Sequence, residues 1–577
     1  MESRPRIGVY ICHCGTNIAA TVDVEAVTEF IATLPGVAVA RNYTYMCSEP
    51  GQTLIKEDAR TLGLNRVVVA ACSPRMHEPT FRAASQEGGV NPYQFEMANI
   101  REQCSWVHHD RYEATEKAKA LVYAALMKAV RLEPLEEREA PVTPGALVVG
   151  GGVAGMVAAL DIADAGFPVH LVEGSDHLGG RVAELNRTFP DLEPVAEWLP
   201  ALVDRVQRHP NITVHLNSRV THITGFVGNF EATVESVGAG LAPAQIPGAG
   251  LAPAQIQVGA IVIATGYNVF DPRQKPEFGY GIYPQVVTTP ELEHRLASGD
   301  LTVNGKTPKD VVFIKCVGSR DRQLDRPYCS RVCCMISAKQ AQLVRQTLPD
   351  ARVTVFYMDV RTFGKRGEEF YDEARRAGVR YRRGNVSEIY RRGDRVVVRV
   401  EDTLLGRTVE HEADLVVLAV GMEPRPEAAD IAALLKLPRS ADGFFLEAHP
   451  KLRPVDTAVD GVFLAGCCQA PKDIPDTVAQ AKAAAASALI PLMRGVVPME
   501  AATAVVDPEL CAGCGMCVEI CPYGAPALDP LWGVSRVNAV LCKGCGACAV
   551  TCPSKAIRLQ HFTPDQILAQ VEALVGW

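Results

Sequence analysis

Eight of the nineteen cysteines of this 577-residue chain crowd between Cys511 and Cys552. Cys511, Cys514, Cys517 and Cys521 are followed by Pro522, and the run returns as Cys542, Cys545, Cys548 and Cys552 followed by Pro553. In this bacterial two-cluster pattern, three thiolates of one run hold a [4Fe–4S] cube and the fourth crosses to the other cube. The spacing therefore predicts one cluster on Cys511, Cys514, Cys517 and Cys552, and a second on Cys542, Cys545, Cys548 and Cys521. Gly513, Gly515, Gly544 and Gly546 let the backbone wrap closely and aim amides at sulfur. Zinc is the competing occupant, but zinc sites rarely use two matched three-plus-one runs closed by proline. Such a pair conducts electrons and does not say what reacts.

A second chemistry starts at Ala146, in ALVVGGGVAGMVAALDIADAGFPVHLVEGSDHLGGR. Strand Ala146–Val149 feeds Gly150, Gly152 and Gly155; a helix opens at Val153 and Ala154, and strand Val169–Val172 ends at Glu173 and Gly174. The glycines allow a tight turn and seat a pyrophosphate on the helix amino terminus, and Glu173 is placed for ribose hydroxyls. A lone Gly-x-Gly-x-x-Gly is weak, but this one has its flanking strands, its helix and its acid. Gly179, Gly180 and Arg181 follow, and a later strand runs into Ala264, Thr265 and Gly266. Flavoproteins with two dinucleotide-binding domains carry both features and end with a short strand and Ala-Gly-Asp beside the flavin. Here VFLAGCC does that work, with Gly466 kept and Cys467 where the Asp is usual. FAD is favoured over NAD. The bland reading of Cys467 and Cys468 is small buried residues.

The other cysteines fall in two groups. In the second dinucleotide-binding domain of such flavoproteins, the opening strand runs into a glycine turn for NAD(P)H. Here the strand DVVFIK, Asp310–Lys315, runs into Cys316, and Cys329, Cys333 and Cys334 follow. Four thiols on one strand end and one loop–helix junction can hold a cube, and the helix amino terminus there favours its negative charge. An iron–sulfur cluster is thus expected in place of NAD(P)H. Near the amino terminus stand Cys12, Cys14, Cys47, Cys72 and Cys104; at least Cys12 and Cys72 end apolar strands, and four of the five suffice for another cluster, with Cys12 or Cys14 expected to be the spare.

Positioning these groups takes several domains. At roughly 150 residues per domain the length allows about three to five. The expected organisation is α/β. Residues 1–132 form an amino-terminal α/β iron–sulfur domain and 133–145, rich in Glu and Pro, a linker. A two-dinucleotide-domain, thioredoxin-reductase-like flavoprotein core follows: FAD-binding parts at 146–305 and 413–497, and a nucleotide-domain-like region with a cluster at 306–412. Residues 498–577 form an α+β ferredoxin domain with two clusters. The repeated GAGLAPAQI between Gly238 and Gln257 reads as an exposed loop lengthened by duplication. A net charge of −8, with 48% apolar and 21% charged residues, excludes bulk disorder and a general nucleic-acid binder. The apolar stretch Ala483–Met493 is too short to span a membrane, and the amino terminus does not read as a signal peptide, so a cytoplasmic address is expected. Without an export signal, metal or redox use of the cysteines is favoured over disulfides.

The modules, in this order, resemble the A-type subunits of heterodisulfide reductase, the family of flavin-bearing iron–sulfur subunits of methanogens and many anaerobic bacteria. The stretches carrying the resemblance include VYICHCGTNIA, YMCSEPGQ, VVVAACSPRMHEPTF, NIREQCSWVH, CVGSRD, PYCSRVCCM and PKDIPDTVAQAKAAA, and they cover nearly the whole chain. The resemblance implies electron bifurcation at FAD between a low-potential ferredoxin and a high-potential, disulfide-type acceptor. It implies B- and C-type subunits as partners, a hydrogenase or formate dehydrogenase as electron input, and a homodimer within the complex. It also places Lys339, five residues past Cys334, near the redox-active edge of the flavin, against the bland reading of a solvated lysine. One departure matters: the full-length methanogen subunit has an inserted ferredoxin domain that this chain lacks. Two other functions compete, a non-bifurcating relay and an NAD(P)H-dependent flavoprotein oxidoreductase. The latter needs a second nucleotide fingerprint, which is not found.

Overall fold

The structure is a computed structural model that describes residues 4–237 and 253–577. Most of the GAGLAPAQI repeat therefore lies outside the described residues. The chain divides into two compact units, one of residues 1–140 with 498–577 and one of residues 141–497.

In the first unit, four parallel strands lie in the order Val37–Tyr43, Ile7–Cys12, Arg66–Ala71, Phe95–Asn99. Ile7–Cys12 is buried along its whole length, as a strand covered on both faces must be. Its alternate residues explain how. Ile7, Val9 and Ile11 pack with helices Val24–Ala32 and Arg111–Ala129, while Tyr10 and Cys12 pack with Ile55, Ala59 and Phe81 on the opposite face. The strand order reverses at the first strand, which opens a crevice at the carboxyl ends of Ile7–Cys12 and Arg66–Ala71. The ferredoxin segment belongs to the same unit. It pairs Ala504–Val506 with Ile557–Leu559 and Pro526–Leu528 with Ser535–Val537. Its last helix, Pro564–Val575, is fastened to the amino-terminal segment by Gln566, which donates to the Arg131 carbonyl at 3.0 Å. Trp577 adds a ring contact to Phe30 with centroids 5.3 Å apart.

The two largest sheets of the second unit carry its sites, beside a three-stranded antiparallel sheet of Ser218–Phe226, Asn229–Ser236 and Ala254–Val258 and a two-stranded one. A five-stranded parallel sheet runs Val462–Leu464, Ala260–Ile263, Ala146–Val149, Val169–Val172, Ile212–His215. A seven-stranded sheet runs Val286–Thr288, Leu415–Val420, Asp310–Val317, Arg352–Tyr357, Arg380–Arg392, Arg395–Asp402, Arg407–Ala413, parallel through its first five strands. The expected limits at 305/306 and 412/413 fall inside this second sheet, because Val286–Thr288 and Leu415–Val420 both pair into it. Val286–Thr288 has three residues and carries no period to read, while Leu415–Val420 is as uniformly apolar as the strand leading to Ala264. The stretch expected as linker includes a short strand, Arg138–Pro141.

Candidate cofactor sites

The ferredoxin cysteines line two small cavities. One small cavity is lined by Cys511, Cys514, Cys517 and Cys552 and another by Cys521, Cys542, Cys545 and Cys548, so the fourth cysteine of each run has crossed over. Backbone amides already point at sulfur. Ser535 N donates to Cys511 Sγ at 3.3 Å, Ala525 N to Cys521 Sγ at 3.4 Å and Ala504 N to Cys542 Sγ at 3.4 Å. Such donors suit thiolates that ligate a cluster. A side chain at Gly513 would meet the Gly533 carbonyl at 2.3 Å, so the wrap needs glycine there.

The flavin motif folds into an open cradle. Gly155 lets helix Val153–Asp164 lie against the turn, where a Cβ would fall 1.8 Å from the Gly150 carbonyl oxygen. Gly152, which starts that helix without a side-chain cap, has nothing within 4 Å of an added Cβ, leaving free amides and room for a diphosphate. The Glu173 carboxylate accepts from Gly151 N at 2.6 Å and from Ser175 N and Oγ at 2.9 Å, which fixes it at the strand end beside Gly174. Thr265 Oγ1, between Ala264 and Gly266, is buried without a partner among the described residues. On the closing strand, Gly466 N donates to Gln480 Oε1 at 2.8 Å, and the Lys472 ammonium caps the Gly466 carbonyl at 2.8 Å. Free amides, a fixed acid and an orphaned hydroxyl around one cradle fit FAD.

Cys316 ends strand Asp310–Val317 in the left-handed region, φ +60°, which an L-residue adopts at a cost of ~1–2 kcal/mol. Cys333 and Cys334 open helix Cys333–Thr347. Burial pushes the Cys333 thiol up to about 12, with Cys316, Cys334 and Cys329 adding to the rise and Lys315 opposing it. Cys316, Cys329 and Cys334 thus lie near enough to Cys333 to act on its thiol. Lys315, buried, donates from Nζ to the Cys333 carbonyl at 3.0 Å, and Arg331 N donates to Cys329 Sγ at 3.3 Å. This group adjoins the flavin motif. Tyr267 and Ile336 pack against Cys467 and Val332, so residues of both sites share one small apolar cluster, and burial there raises the Tyr267 phenol.

Cys12, Cys14 and Cys47 lie together at the crevice of the first unit, and Cys72 follows the neighbouring strand Arg66–Ala71. Cys12 Sγ accepts from Cys14 N at 3.3 Å and Met46 N at 3.4 Å, while Cys12 and Cys47 pack in the same apolar cluster. Burial pushes the Cys72 thiol up to about 11, lowered by Arg101 and raised by Cys14 and Cys12. Cys104 lies on the opposite face of the sheet, with its Sγ against the Ala114 carbonyl at 3.0 Å. Cys104 thus packs apart from Cys12 and Cys47.

Lys339 is neither solvated nor free. Only 1% exposed, it donates from Nζ to Glu293 Oε1 and to the Arg187 carbonyl, both at 2.6 Å. Burial lowers its pKa, Glu293 opposing. Because Asn186 N also donates to Glu293 Oε1, at 3.0 Å, the pair ties helix Cys333–Thr347 to the segment that follows Arg181. Glu293, Lys315 and Lys472 were missed in the sequence. Lys315 and Lys472 adjoin cysteines or sit in a quoted motif, but nothing local marks Glu293.

Comparison with known proteins gives the same modules. The NAD(P)-binding Rossmann-like domain family matches residues 148–216, and the pyridine nucleotide-disulphide oxidoreductase family matches 335–488. Two 4Fe-4S binding domain families match 503–526 and 536–558. The second A-type iron-sulfur subunit of the CoB–CoM heterodisulfide reductase of Methanopyrus kandleri is 47% identical over 91% of each chain. The chain belongs to the family of heterodisulfide reductase A-type subunits. Like others of that family, it is an iron–sulfur flavoprotein oxidoreductase subunit with FAD and [4Fe–4S] clusters, on a two-dinucleotide-domain core. The A-type subunit of the H(2):CoB-CoM heterodisulfide,ferredoxin reductase of Methanothermobacter marburgensis is 46% identical over 99% of this chain and 98% of its own. That alignment spans 646 residues against 577 here, so the methanogen subunit carries residues without a counterpart in this chain. A protein of Archaeoglobus profundus, named for its likeness to the same A-type subunits, is 40% identical over 99% of this chain. No helix among the described residues is long and apolar enough to cross a membrane.

Proposed function

We propose that this subunit is the flavin junction of a cytoplasmic heterodisulfide-reductase-like complex, where electron pairs divide between ferredoxin and a high-potential, disulfide-type acceptor. The observation that carries the reading is Tyr267, which packs in one cluster with Cys467 of the closing flavin strand and with Val332 and Ile336, on either side of Cys333 and Cys334 of the second cysteine group. Electrons arriving on a cluster at Cys316, Cys329, Cys333 and Cys334 would then reach the flavin directly, and no glycine turn for NAD(P)H intervenes. Further clusters on the amino-terminal and ferredoxin cysteines would lead onward. The names of the relatives support the same partners: the M. marburgensis protein is named for H2, the heterodisulfide and ferredoxin. B- and C-type subunits, a hydrogenase or formate dehydrogenase module and a second copy of this chain complete the proposed assembly. With no inserted ferredoxin domain, low-potential electrons would leave through a partner subunit. The test is the purified complex with its electron donor, ferredoxin and a disulfide acceptor. Ferredoxin reduction that stops when the disulfide is omitted supports division of the pair. Ferredoxin reduced equally well without the disulfide, or never reduced, leaves only a relay.

A further inference from the structure

Arg101 stands in the amino-terminal crevice, where no sequence motif assigned it a role. Its Nη1 donates to Cys14 Sγ at 3.4 Å. The guanidinium is held on every side. Nε and Nη2 bind Glu102 Oε1 at 3.2 and 2.7 Å, its carbon lies 4.7 Å from the centre of the Trp106 ring, and its own backbone N donates to Asn99 Oδ1 at 3.2 Å. The side chain is 15% exposed. Strand pairing sets this register. Ala71 pairs with Asn99 and Ile100 N donates to the Ala71 carbonyl at 2.9 Å, so Arg101 emerges beside Cys72 and across from Cys14. Cys14 itself is held at φ +51°, a left-handed conformation that turns its sulfur toward the arginine's side of the crevice.

We propose that Arg101 sets the reduction potential of the amino-terminal cluster by a charge-assisted hydrogen bond to the sulfur of Cys14. The proposal rests on the reading of Cys12, Cys14, Cys47 and Cys72 as the ligands of a [4Fe–4S] cube. Four thiolates give the oxidised cube a net charge of 2−, and taking up one electron from a neighbouring redox centre makes it 3−. A fixed cation on one ligand stabilises the more negative state more, so it raises the potential. A guanidinium does not titrate, so this contribution is the same at pH 6.5 and at pH 9. Glu102 tempers the charge without removing the hydrogen bond, and the Trp106 ring keeps the guanidinium from turning to solvent.

The experiment is an anaerobic redox titration of the full chain, reconstituted with FAD and clusters and followed by paramagnetic resonance, for the wild type, Arg101→Gln and Arg101→Lys. The expected result is full iron in all three and one cluster of Arg101→Gln harder to reduce by about tenfold in its reduced-to-oxidised ratio, ~59 mV for a one-electron couple. Arg101→Lys should keep most of the wild-type potential, and the shift should not change with pH. Full iron with unchanged potentials overturns the proposal. So does iron lost from Arg101→Gln while the lysine variant behaves as wild type, which would make Arg101 a packing residue. Cys14→Ala separates the two readings: losing about four irons supports the cluster itself, and full iron there takes Cys14 out of the ligand set and with it the role of Arg101.

Discussion

Replacing Lys339 with Met should destabilise the flavoprotein unit by about 3–5 kcal/mol, the usual cost of leaving one partner of a buried ion pair alone. The gross attraction is larger. Nζ lies 2.6 Å from Glu293 Oε1, and Coulomb's law at an effective dielectric of 20 gives roughly 6 kcal/mol, part of which desolvation of the two groups offsets. What remains after the substitution is a carboxylate at 1% exposure, served among the described residues by the amides of Asn186 and Arg187 and by Gln340 Nε2 at 2.7 Å. Those three donors are too few for a buried charge that has lost its cation. Glu293→Gln should be costly for the mirror-image reason. The double variant, neutral on both sides, should recover much of the loss, with a coupling of at least ~2 kcal/mol between the sites. Denaturant unfolding of the four proteins of that cycle, followed by flavin release, measures it. A cost below ~1 kcal/mol for Lys339→Met, or additive single substitutions, would refute the reasoning. Titrating the flavin in the same variant is a separate readout of its family-implied place near the isoalloxazine, because unchanged flavin potentials would leave Lys339 with the ion pair alone.

Cys333→Ser should remove close to four irons while FAD stays bound, and full iron in that variant would place the ligands elsewhere. Cys104→Ser should keep the iron that Cys47→Ser loses, since the Cys104 sulfur faces Ala114 on the other side of the sheet; equal loss in both would reject the division. NADH and NADPH should fail to bleach the flavin, and rapid bleaching by either would restore a nicotinamide site. Burial, with Lys128 and Arg82, pushes the His561 imidazole down to about 3 from 6.5, so the stability of its neutral form is complete above pH ~6.5 and declines as pH falls toward 3, by up to ~1.4 kcal/mol per unit. His561→Leu should flatten that slope between pH 6.5 and 5 in an unfolding series, and an unchanged slope would show that other groups set it.

What was legible in the sequence is what local spacing encodes. The two ferredoxin runs and the glycines from Gly150 to Gly155 act over a few residues, so their chemistry survives without knowledge of the fold. The choice among five amino-terminal cysteines was not legible, because it depends on which strands are neighbours. Cys12, Cys47 and Cys72 follow three adjacent parallel strands, and Cys104 follows the edge strand Phe95–Asn99 and turns to the opposite face. The burial of Lys339 was hidden for a similar reason. Its partner Glu293 lies 46 residues earlier on the helix Thr289–Ser298, where it reads as one more acid in a polar turn.

The two cysteine groups outside the ferredoxin segment share one construction, although they stand on different sheets. In each, a buried parallel strand carries a cysteine at or next to its carboxyl end: Ile7–Cys12 ends on Cys12 and leads to Cys14 at φ +51°, and Asp310–Val317 holds Cys316, one residue from its end, at φ +60°. In each, a basic residue is fixed alongside, Arg101 on Cys14 Sγ and Lys315 on the Cys333 carbonyl. The carboxyl edge of a parallel sheet is where such folds bind the anionic part of a nucleotide, because turn amides and helix amino termini converge there. A cube held by four thiolates is also an anion, and it makes the same demands on that edge. On the proposed reading, a left-handed cysteine in place of a glycine turn would let the same sheet edge hold a cube instead of a phosphate. On this reasoning the flavin keeps the one glycine cradle, Gly150 to Gly155, because its diphosphate still needs backbone amides within reach, and the neighbouring sheet is free to carry electrons.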